Sequence, residues 1–382
     1  MSWPTVKLGD IAPSRPLKLA PIENNEEVWL LNLDMVESQS GRIINKVVGA
    51  VDEAGSSTHW FSSEHVLYSK LRPYLNKVVL PDSHGLATTE LVPMLPDPTR
   101  LDRRYLAHYL RSEKFVNWVS EQVAGAKMPR VSMKIFWDHE IPLPPLAEQK
   151  RIATILDKAD VIRQKRKQAI DLADEFLRSV FLDMFGDPVT NPKGWEVKRF
   201  GDLGDWASGG TPSRSVTEYF EGDIDWYSAR ELNERYLNNS IEKITDEALK
   251  NSAAKIFPKG SLLVGMYDTA AFKISILGKD SASNQACANV IPNALVDVEW
   301  LYSFIQFSKE TYLRQRRGVR QKNLNLGMIK DFELPLPPRT EQLQFANIVK
   351  QLMKADVLNK AFDSSSEKMF DSLSQKAFSG KL

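Results

Sequence analysis

Residues 141–187 read IPLPPLAEQKRIATILDKADVIRQKRKQAIDLADEFLRSVFLDMFGD, and residues 334–381 read LPLPPRTEQLQFANIVKQLMKADVLNKAFDSSSEKMFDSLSQKAFSGK. Each stretch begins with prolines and continues as one long amphipathic run. Proline is tolerated at the start of a helix because the first-turn amides have no intrahelical partner. Glu148 and Glu341 fall in the first turn, where the helix dipole favours a carboxylate. The pattern predicts two long helices of about 38 residues, or about 57 Å, each.

Both runs fit a heptad pattern with largely apolar a and d positions, which is typical of a coiled coil. The predicted seam of the first helix consists of Ile152, Ile155, Ala159, Ile162, Arg166, Phe176 and Val180. The predicted seam of the second helix consists of Phe345, Ile348, Leu352, Asn359, Phe362 and Leu373. The alternative is two unrelated surface helices. Mutual pairing is favoured because a lone helix of this length would leave its apolar stripe in water.

Arg166 and Asn359 are polar a positions near the midpoints of the two helices. A pseudo-twofold axis through the middle of the pair would make the helices antiparallel and bring these two side chains together. We expect that contact to help set the register, as single polar a residues do in other coiled coils. The alternative is that Arg166 extends along the seam edge to reach solvent.

The chain is a tandem repeat. Residues 125–145 align with residues 318–338 at a shift of 193, and the same shift pairs Gln149 with Gln342. Near the start of each half, WPTVKLGDI resembles WEVKRFGDL at a shift of 192. The sequences between these shared ends differ, so one scaffold carries two different surfaces. The predicted segments are two globular parts, 1–140 and 188–333, and two proline-rich segments with their helices, 141–187 and 334–382.

Each globular part has a mixed α+β pattern. Short runs rich in β-branched and aromatic residues predict strands at 28–33, 66–68, 77–80, 262–266 and 273–277. Apolar spacing predicts one or two helices within 103–123 and another at 300–307. We therefore predict an α+β fold with two pseudo-twofold-related globular domains separated by a pair of long antiparallel coiled-coil helices.

Composition narrows the class of protein. The chain has 382 residues, 42% of them apolar and 26% charged, which is ordinary for a folded soluble protein of two domains. The single cysteine, Cys287, excludes an internal disulfide and fits a reducing cytosol. The N-terminal MSWPTVKLGD lacks the apolar core of a secretory signal, and no run approaches about 18 consecutive apolar residues. We expect a cytoplasmic protein with no membrane partner.

No catalytic pattern is evident. The sequence has no glycine-rich phosphate loop, nucleophile elbow or zinc-ligand spacing, and its five histidines are scattered. Asn191-Pro192 begins like the motif of an amino-methyltransferase, but Lys193 follows where a second proline is needed. We predict no catalytic residue, no metal site and no cofactor site in this chain.

Basic residues cluster locally although the net charge is only +1. Residues 313–330 are basic and contain no acid, and residues 70–77 combine basic and aromatic side chains. Such side chains can hold phosphates or contact base edges, whereas the alternative is a solvated basic face. The candidate DNA-contacting residues are Lys70, Arg72, Tyr74, Lys77, Lys127, Arg130, Lys134, Arg214, Arg230, Lys273, Arg314, Arg316, Arg317, Arg320 and Lys322.

Several motifs together resemble one family. They are IPLPPLAEQ and LPLPPRTEQ, SVFLDMFGDP followed by NPKGWE, LSQKAFSGKL, SKLRPYLNKV followed by TTELVP, and GSLLVGM followed by SNQACANVIP. One LPP segment alone would be a weak signal, but two at matching positions before helices are specific. Over its whole length the chain resembles the DNA specificity subunit of Type I restriction-modification enzymes.

The resemblance implies two target recognition domains, each of which reads half of a split double-stranded DNA sequence. It implies that the helices set the spacing of the half-sites and dock methyltransferase subunits, two in number, and that restriction/translocase subunits join them. S-adenosylmethionine and ATP with Mg²⁺ would bind those partner subunits, and this chain would catalyse nothing. DNA contacts in the family fall in variable loops, so no motif assigns a base contact to a named residue here.

Two other functions stay open at this point. One is a stand-alone DNA methyltransferase or nuclease, against which the missing cofactor loop and catalytic tetrapeptide argue. The other is a structural adaptor that bridges two proteins without reading DNA.

Overall fold

A computed structural model describes residues 3–18, 27–124, 127–314 and 323–382, with the side chains of Asp268 and residues 356–369 left out of the description. Its internal contacts divide the chain into two compact units. Unit 1 comprises Met1–Lys167 and Asn359–Leu382, and unit 2 comprises Gln168–Leu358. Each unit combines helices with small sheets.

Unit 1 is built from short strands and helices. Its strands are β1 Thr5–Lys7, β2 Val28–Leu31, β3 Val47–Gly49, β4 Thr58–Phe61, β5 Val66–Ser69, β6 Val78–Val79, β7 Gly85–Thr88, β8 Leu91–Met94, β9 Val123–Ala124, β10 Arg130–Val131 and β11 Glu140–Pro142. Its helices are α1 Leu8–Ile11, α2 Arg103–Arg111, α3 Glu113–Glu121, α4 Met133–Asp138 and the first part of α5, Leu146–Phe185. The strands form the sheets β3-β2-β7-β4, β6-β5-β8, β1-β11 and β10-β9.

The core of unit 1 lies where α2 and α3 pack on the three-stranded sheet. Tyr105 and Phe115 are buried there, and the rings of Tyr68 and Phe136 lie 4.6 Å apart. The end of α9, described below, completes this core, because the ring of Phe378 packs 5.2 Å from that of Tyr109. Asp102 caps α2 by accepting hydrogen bonds from two first-turn amides.

Unit 2 repeats this organisation. Its strands are β12 Glu196–Arg199, β13 Gly204–Ser208, β14 Ile224–Tyr227, β15 Tyr236–Leu237, β16 Glu242–Ile244, β17 Ile256–Phe257, β18 Leu262–Gly265, β19 Ile274–Leu277, β20 Ser281–Ser283, β21 Cys287–Pro292 and β22 Glu333–Leu336. Its helices are α6 Asp246–Lys250, α7 Val298–Arg314, α8 Leu326–Asp331 and the first part of α9, Arg339–Ser379. The strands form the sheets β13-β21-β18-β19-β15, β16-β14-β20-β17 and β12-β22.

The two units share strand connections as well as sequence motifs. Strand β2 pairs antiparallel with β3 and parallel with β7, and β14 pairs antiparallel with β16 and parallel with β20. The first strand of each unit also pairs with the strand before its long helix, as β1-β11 and β12-β22. The predicted α+β fold with a long helix after each domain is confirmed.

One buried glutamine fixes the start of each long helix. Gln149 is 0% exposed, and its amide donates to the carbonyls of Arg100 and Pro144 at 2.9 and 2.8 Å. Its side-chain oxygen accepts from the amide of Asp102 at 2.9 Å. Gln342, also 0% exposed, repeats all three bonds in unit 2 with Leu295, Pro337 and Asp297. The glutamine of each LPP-x-x-E-Q segment therefore ties the proline turn to the start of α2 or α7.

The long helices run antiparallel within each unit. In unit 1, Arg151 near the start of α5 donates to the Leu382 carbonyl at 3.2 Å, and the Arg163 guanidinium lies 5.1 Å from the Phe370 ring. Residue numbers therefore rise along α5 as they fall along α9. In unit 2, Phe181 near the end of α5 packs on Phe345 near the start of α9, with ring centroids 5.4 Å apart.

The buried stripe of α5 departs from the predicted seam. Ile152 is fully buried, but Ile162 is 45% exposed and Phe176 is 51% exposed. Leu156 and Leu177, which lie outside the predicted seam, are buried instead. A strict heptad drifts by about 20° per repeat on a straight helix, so the seam is wrong at these positions although helix and pairing are present.

The other predicted seam positions vary in burial. Arg166 and Phe345 are buried, and the partly buried residues are Ile155, Ala159, Val180, Ile348, Leu352 and Leu373. The side chains of Asn359 and Phe362 lie outside the described set, so the predicted Arg166–Asn359 contact stays a prediction.

Candidate nucleic-acid interface

Two basic segments that are distant in sequence meet in unit 1. The Arg72 amide donates to the Pro129 carbonyl at 2.8 Å, and the Val131 amide donates to the Lys70 carbonyl at 3.1 Å. The Arg72 guanidinium also reaches the Lys127 carbonyl at 3.4 Å. This pairing places Lys70, Arg72, Lys127 and Arg130 side by side, and we call these four residues the basic cluster.

Charge in the basic cluster is unevenly compensated. Arg130 forms a forked ion pair with Glu90 at 2.8 and 3.1 Å, which raises the pKa of Arg130 and lowers that of Glu90. Arg72 and Lys127 are exposed. The cluster can therefore present these two cations to a phosphate while Arg130 braces the loop.

The turn that follows Arg72 is held in an uncommon conformation. Arg72 and Asn76 are left-handed, with φ of 49° and 51°, which is rare for residues other than glycine. The side-chain amide of Asn76 donates to the Arg111 carbonyl at 3.1 Å, and the Lys77 ammonium donates to the Leu33 carbonyl at 2.7 Å. Burial lowers the pKa of Lys77. Lys77 thus anchors the turn, whereas Tyr74 is 44% exposed at its tip.

Unit 2 distributes its predicted cations differently. Arg214 pairs with Glu242 at 2.8 Å and lies 4.2 Å from the Phe220 ring, and Lys273 donates to the Asn233 amide oxygen at 2.6 Å. The exposed candidates Arg230, on a 3₁₀ turn, and Arg314, at the end of α7, lie apart from each other in sequence. In unit 1, the exposed candidate Lys134 lies on α4, outside the basic cluster. The remaining candidates, Arg316, Arg317, Arg320 and Lys322, lie outside the described residues.

The scaffold beneath the basic cluster recurs in unit 2 with other side chains. The Leu324 amide donates to the Met266 carbonyl at 2.7 Å, which corresponds to the bond from Val131 to Lys70 in unit 1. Met266 thus stands where unit 1 has Lys70, and Tyr267 at the next position is 38% exposed. Equivalent backbone hydrogen bonds therefore hold different side chains in the two units, a lysine in unit 1 and a methionine in unit 2.

Two features of the structure were not predicted from the sequence. The first is the glutamine clamp, for which the shared LPP-x-x-E-Q segments were an available signal. The second is a pair of exposed isoleucines, Ile44 and Ile241, in loops whose sequences differ. No periodicity marks such positions, since their exposure depends on the surrounding fold.

Among the side chains that the structure describes, no group of histidines, cysteines or acids is arranged to hold a metal ion. Within the described ranges, no helix is both long enough and apolar enough to cross a membrane.

Comparison with known proteins decides the family. The model of the Type I restriction modification DNA specificity domain matches residues 2–172 and again residues 192–362. The chain belongs to this family. The resemblance inferred from the motifs is therefore confirmed, and the two matches coincide with the two halves of the repeat.

Individual relatives of the family align over part of their length. The chain is 25% identical over 262 residues to the EcoR124I/EcoR124II specificity subunit of Escherichia coli, covering 65% of this chain and 63% of that protein. It is 31% identical over 163 residues to the MjaIX specificity subunit of Methanocaldococcus jannaschii, covering 41% of this chain and 38% of that protein. The alignments thus span less than two thirds of each relative.

The fold is similar to that of a solved relative over nearly the whole chain. The Type I restriction-modification S subunit from M. genitalium superposes with a TM-score of 0.63 at 15% identity, covering 99% of this chain and 96% of that one. At this identity the likeness concerns the fold alone.

Proposed function

We propose that the chain is the non-catalytic DNA specificity subunit of a Type I restriction-modification complex, in which each unit reads one half of a bipartite DNA target. The observation that carries the proposal is the double family match, one per unit, on equivalent scaffolds with different exposed side chains. A protein that reads two unlike half-sites needs this combination of a repeated frame and divergent surfaces.

DNA contact in unit 1 is assigned to the basic cluster and the neighbouring Tyr74. Exposed Arg72 and Lys127 would hold phosphates and so position the unit without reading sequence. In unit 2, Arg230 and Arg314 are exposed cations that can do the same. A net charge of +1 suits a protein that shares the clamping of DNA with partner subunits.

Exposed apolar residues on α5 support docking of methyltransferase subunits. Leu172 is 64% exposed and Phe176 is 51% exposed, and a partner helix would remove both from water. Two methyltransferase subunits would bring S-adenosylmethionine, and restriction/translocase subunits would bring ATP with Mg²⁺. The complex would act in the cytoplasm.

The long helices would set the distance between the half-sites. Helix α5 has 40 residues and α9 has 41, and at 1.5 Å per residue each is about 60 Å long. Two readers held by such helices can address half-sites about one DNA turn, or about 34 Å, apart.

The direct test is to sequence methylated sites in cells that carry this chain with its partner subunits. The expected result is a split motif with a methylated adenine in each half. Exchange of residues 1–140 with those of another family member should change only one half, which also tests the predicted segment boundary at 140. A change in both halves, or methylation by the purified chain alone, would contradict the proposal.

A salt titration separates a specificity subunit from an adaptor. The complex should keep its preference for the methylated motif as rising salt removes nonspecific binding. Binding without sequence preference at every salt concentration would favour the adaptor.

A further inference from the structure

Two equivalent loops carry the most exposed isoleucines in the described part of the chain. In unit 1, residues 36–46 connect a 3₁₀ turn, Leu33–Met35, to the edge strand β3. In unit 2, residues 232–241 lie between the 3₁₀ turn Ala229–Glu231 and the edge strand β16 and include the short strand β15. Because β2 and β14 have the same pattern of neighbours, both loops leave the same place in the scaffold.

Each loop holds one isoleucine out in solvent on a backbone amide that is hydrogen-bonded to the preceding 3₁₀ turn. Ile44 is 61% exposed and Ile241 is 85% exposed. The Ile44 amide donates to the carbonyl of Met35 at 2.8 Å, and the Ile241 amide donates to the carboxylate of Glu231 at 2.9 Å. Met35 and Glu231 are the third residues of their respective 3₁₀ turns.

The unit 2 loop is braced on both sides of the isoleucine. The backbone amide and the hydroxyl of Ser240 both donate to the Asp225 carboxylate, at 2.7 and 2.8 Å. Glu231, which holds the Ile241 amide, also accepts from the Ser228 hydroxyl at 2.8 Å. The exposed side chain therefore extends from a fixed backbone.

The unit 1 loop is braced against the turn that carries Tyr74. The Gln39 amide donates to the Leu75 carbonyl at 3.0 Å, and the Gln39 side chain donates to the Tyr74 carbonyl at 3.0 Å. Glu37 accepts a hydrogen bond from Lys167 at 2.8 Å. The loop with Ile44 thus lies next to the turn that begins at Arg72.

A single exposed isoleucine is ordinary on a protein surface. The strand register aligns Ile241 with Lys46, so the two isoleucines lie on corresponding loops rather than at equivalent positions. One exposed isoleucine on anchored backbone in each of these loops indicates a shared role. Exposed amides lie close in sequence, Asn45 beside Ile44 and Asn239 two residues before Ile241. Amide side chains read adenine and apolar side chains contact the thymine methyl group, so each loop combines the two kinds of group that read an A·T pair.

We propose that Ile44 and Ile241 are specificity-determining residues on corresponding loops, each of which makes an apolar contact with a base of its own half-site, at the 5-methyl group of a thymine. The proposal rests on the proposed function and deepens it by naming one reading residue in each unit.

The test uses the complex of this chain with its methyltransferase subunits and compares Ile44→Ala and Ile241→Ala. Ile135→Ala and Ile256→Ala are matched controls, since these isoleucines are 41% and 43% exposed and lie outside the two loops. Each loop variant should accept other bases at one position of one half-site and methylate the original motif about tenfold more slowly. The two variants should affect opposite halves, and the controls should keep the wild-type motif.

Uracil in place of thymine at the affected position removes only the methyl group. The wild-type complex should lose about tenfold in rate on the uracil duplex, and the alanine variant should lose nothing further. An unchanged rate on the uracil duplex would overturn the thymine assignment. In that case, 2-aminopurine placed at the affected step distinguishes a contact with the face of the base. Its fluorescence should then report unstacking with the wild-type complex and not with the alanine variant.

Failure of this inference is distinct from failure of the proposed function. If the wild type methylates a split motif and both loop variants behave like their controls, the isoleucines are not readers and the subunit role stands. If the wild-type complex shows no sequence preference, both are overturned. Loss of an exposed side chain should leave the melting temperature unchanged, which excludes misfolding as the cause of an effect.

Discussion

Gln149 and Gln342 show how one side chain can organise a helix start. Each is fully buried and uses one oxygen and both amide hydrogens in three hydrogen bonds. Loss of the amide would leave a backbone N–H and two carbonyls buried without their partner, and each such group costs about 1–3 kcal/mol.

We therefore expect Gln149→Ala and Gln342→Ala to lower the free energy of unfolding by about 2–4 kcal/mol each. Gln168→Ala on α5 and Gln351→Ala on α9 are exposed controls and should stay within about 0.5 kcal/mol of wild type. Urea unfolding of the purified chain measures the difference. Equal midpoints for buried and exposed glutamine variants would contradict the role assigned to the clamp.

His139 is a histidine of unit 1 whose neutral form the fold favours. Its ring lies 3.8 Å from the Trp118 ring, and its Nε2 is 2.9 Å from the Tyr109 hydroxyl. Burial, and then the nearby charge of Lys114, lower the pKa of His139 from 6.5 to about 4. The unfolded chain therefore binds a proton between these pH values that the folded chain does not.

Stability should accordingly be highest above pH 6.5 and fall as the pH is lowered to about 4, by on the order of 1–2 kcal/mol once solvent screening is allowed for. His139→Gln should remove this part of the pH dependence, whereas His84→Gln, at an exposed histidine, should keep it. Urea unfolding at pH 7, 5.5 and 4.5 gives the comparison. If the free energy of unfolding of His139→Gln depends on pH as steeply as that of the wild type, other groups cause the loss of stability at low pH.

At the scale of the element, α5 presents two different faces. Leu156, Leu177 and Phe181 are buried in their units, whereas Leu172 and Phe176 are exposed. The helix repeats every 3.6 residues, so the buried stripe moves away from a heptad seam and leaves apolar side chains on the outside. An exposed leucine and an exposed phenylalanine four residues apart form one apolar surface suited to a partner.

The double variant Leu172→Gln, Phe176→Gln should weaken binding of methyltransferase subunits by about tenfold or more, because buried anchors dominate binding energy. Stability of the chain alone should change by less than about 0.5 kcal/mol. Leu182→Gln, at a residue 39% exposed on another side of α5, is the matched control. Titration of the purified subunits measures the affinity, and wild-type binding by the double variant would remove this surface from the docking site.

At the scale of the whole molecule, each unit is completed by a helix that begins in the other. Phe378 on α9 packs on Tyr105 and Tyr109 of unit 1, and Phe181 on α5 packs on Phe345 and Phe304 of unit 2. Unit 1 is therefore discontinuous in sequence, whereas unit 2, Gln168–Leu358, is one continuous segment. A truncation at the C-terminal end of the chain removes core residues from unit 1, which holds the first half of the repeat.

Phe181→Ala should lower the free energy of unfolding of unit 2 by about 3–5 kcal/mol, because Phe181 is buried. Phe378→Ala should lower that of unit 1 by less, because Phe378 is partly exposed. Hydrogen exchange followed by mass spectrometry resolves the two units and should show faster exchange in one unit per variant. Phe176→Ala, at an exposed residue, should leave both exchange patterns unchanged. Uniform loss of protection from a single variant would show that the units unfold together.

The prediction from sequence was most accurate where local chemistry decides the outcome. Strand β2 ends at Leu31 rather than residue 33, since Leu33–Met35 forms a 3₁₀ turn, and α7 extends to Arg314 rather than residue 307. These are boundary differences, whereas the type of each element agrees. The α5 seam differs more, because burial along a long helix depends on what packs against it at each turn.

The sequence by itself determined the repeat, the α+β class, the two proline-initiated helices and the family, because these depend on spacing, turn chemistry and motifs that are local to the chain. Only the tertiary structure decided that Lys70 and Arg72 lie beside Lys127 and Arg130, that Lys77 serves as an anchor, and that Ile44 and Ile241 are exposed on corresponding loops. These relations join residues that are far apart in the chain. They depend on hydrogen bonds and packing between distant segments, which the spacing of residues along the sequence does not specify.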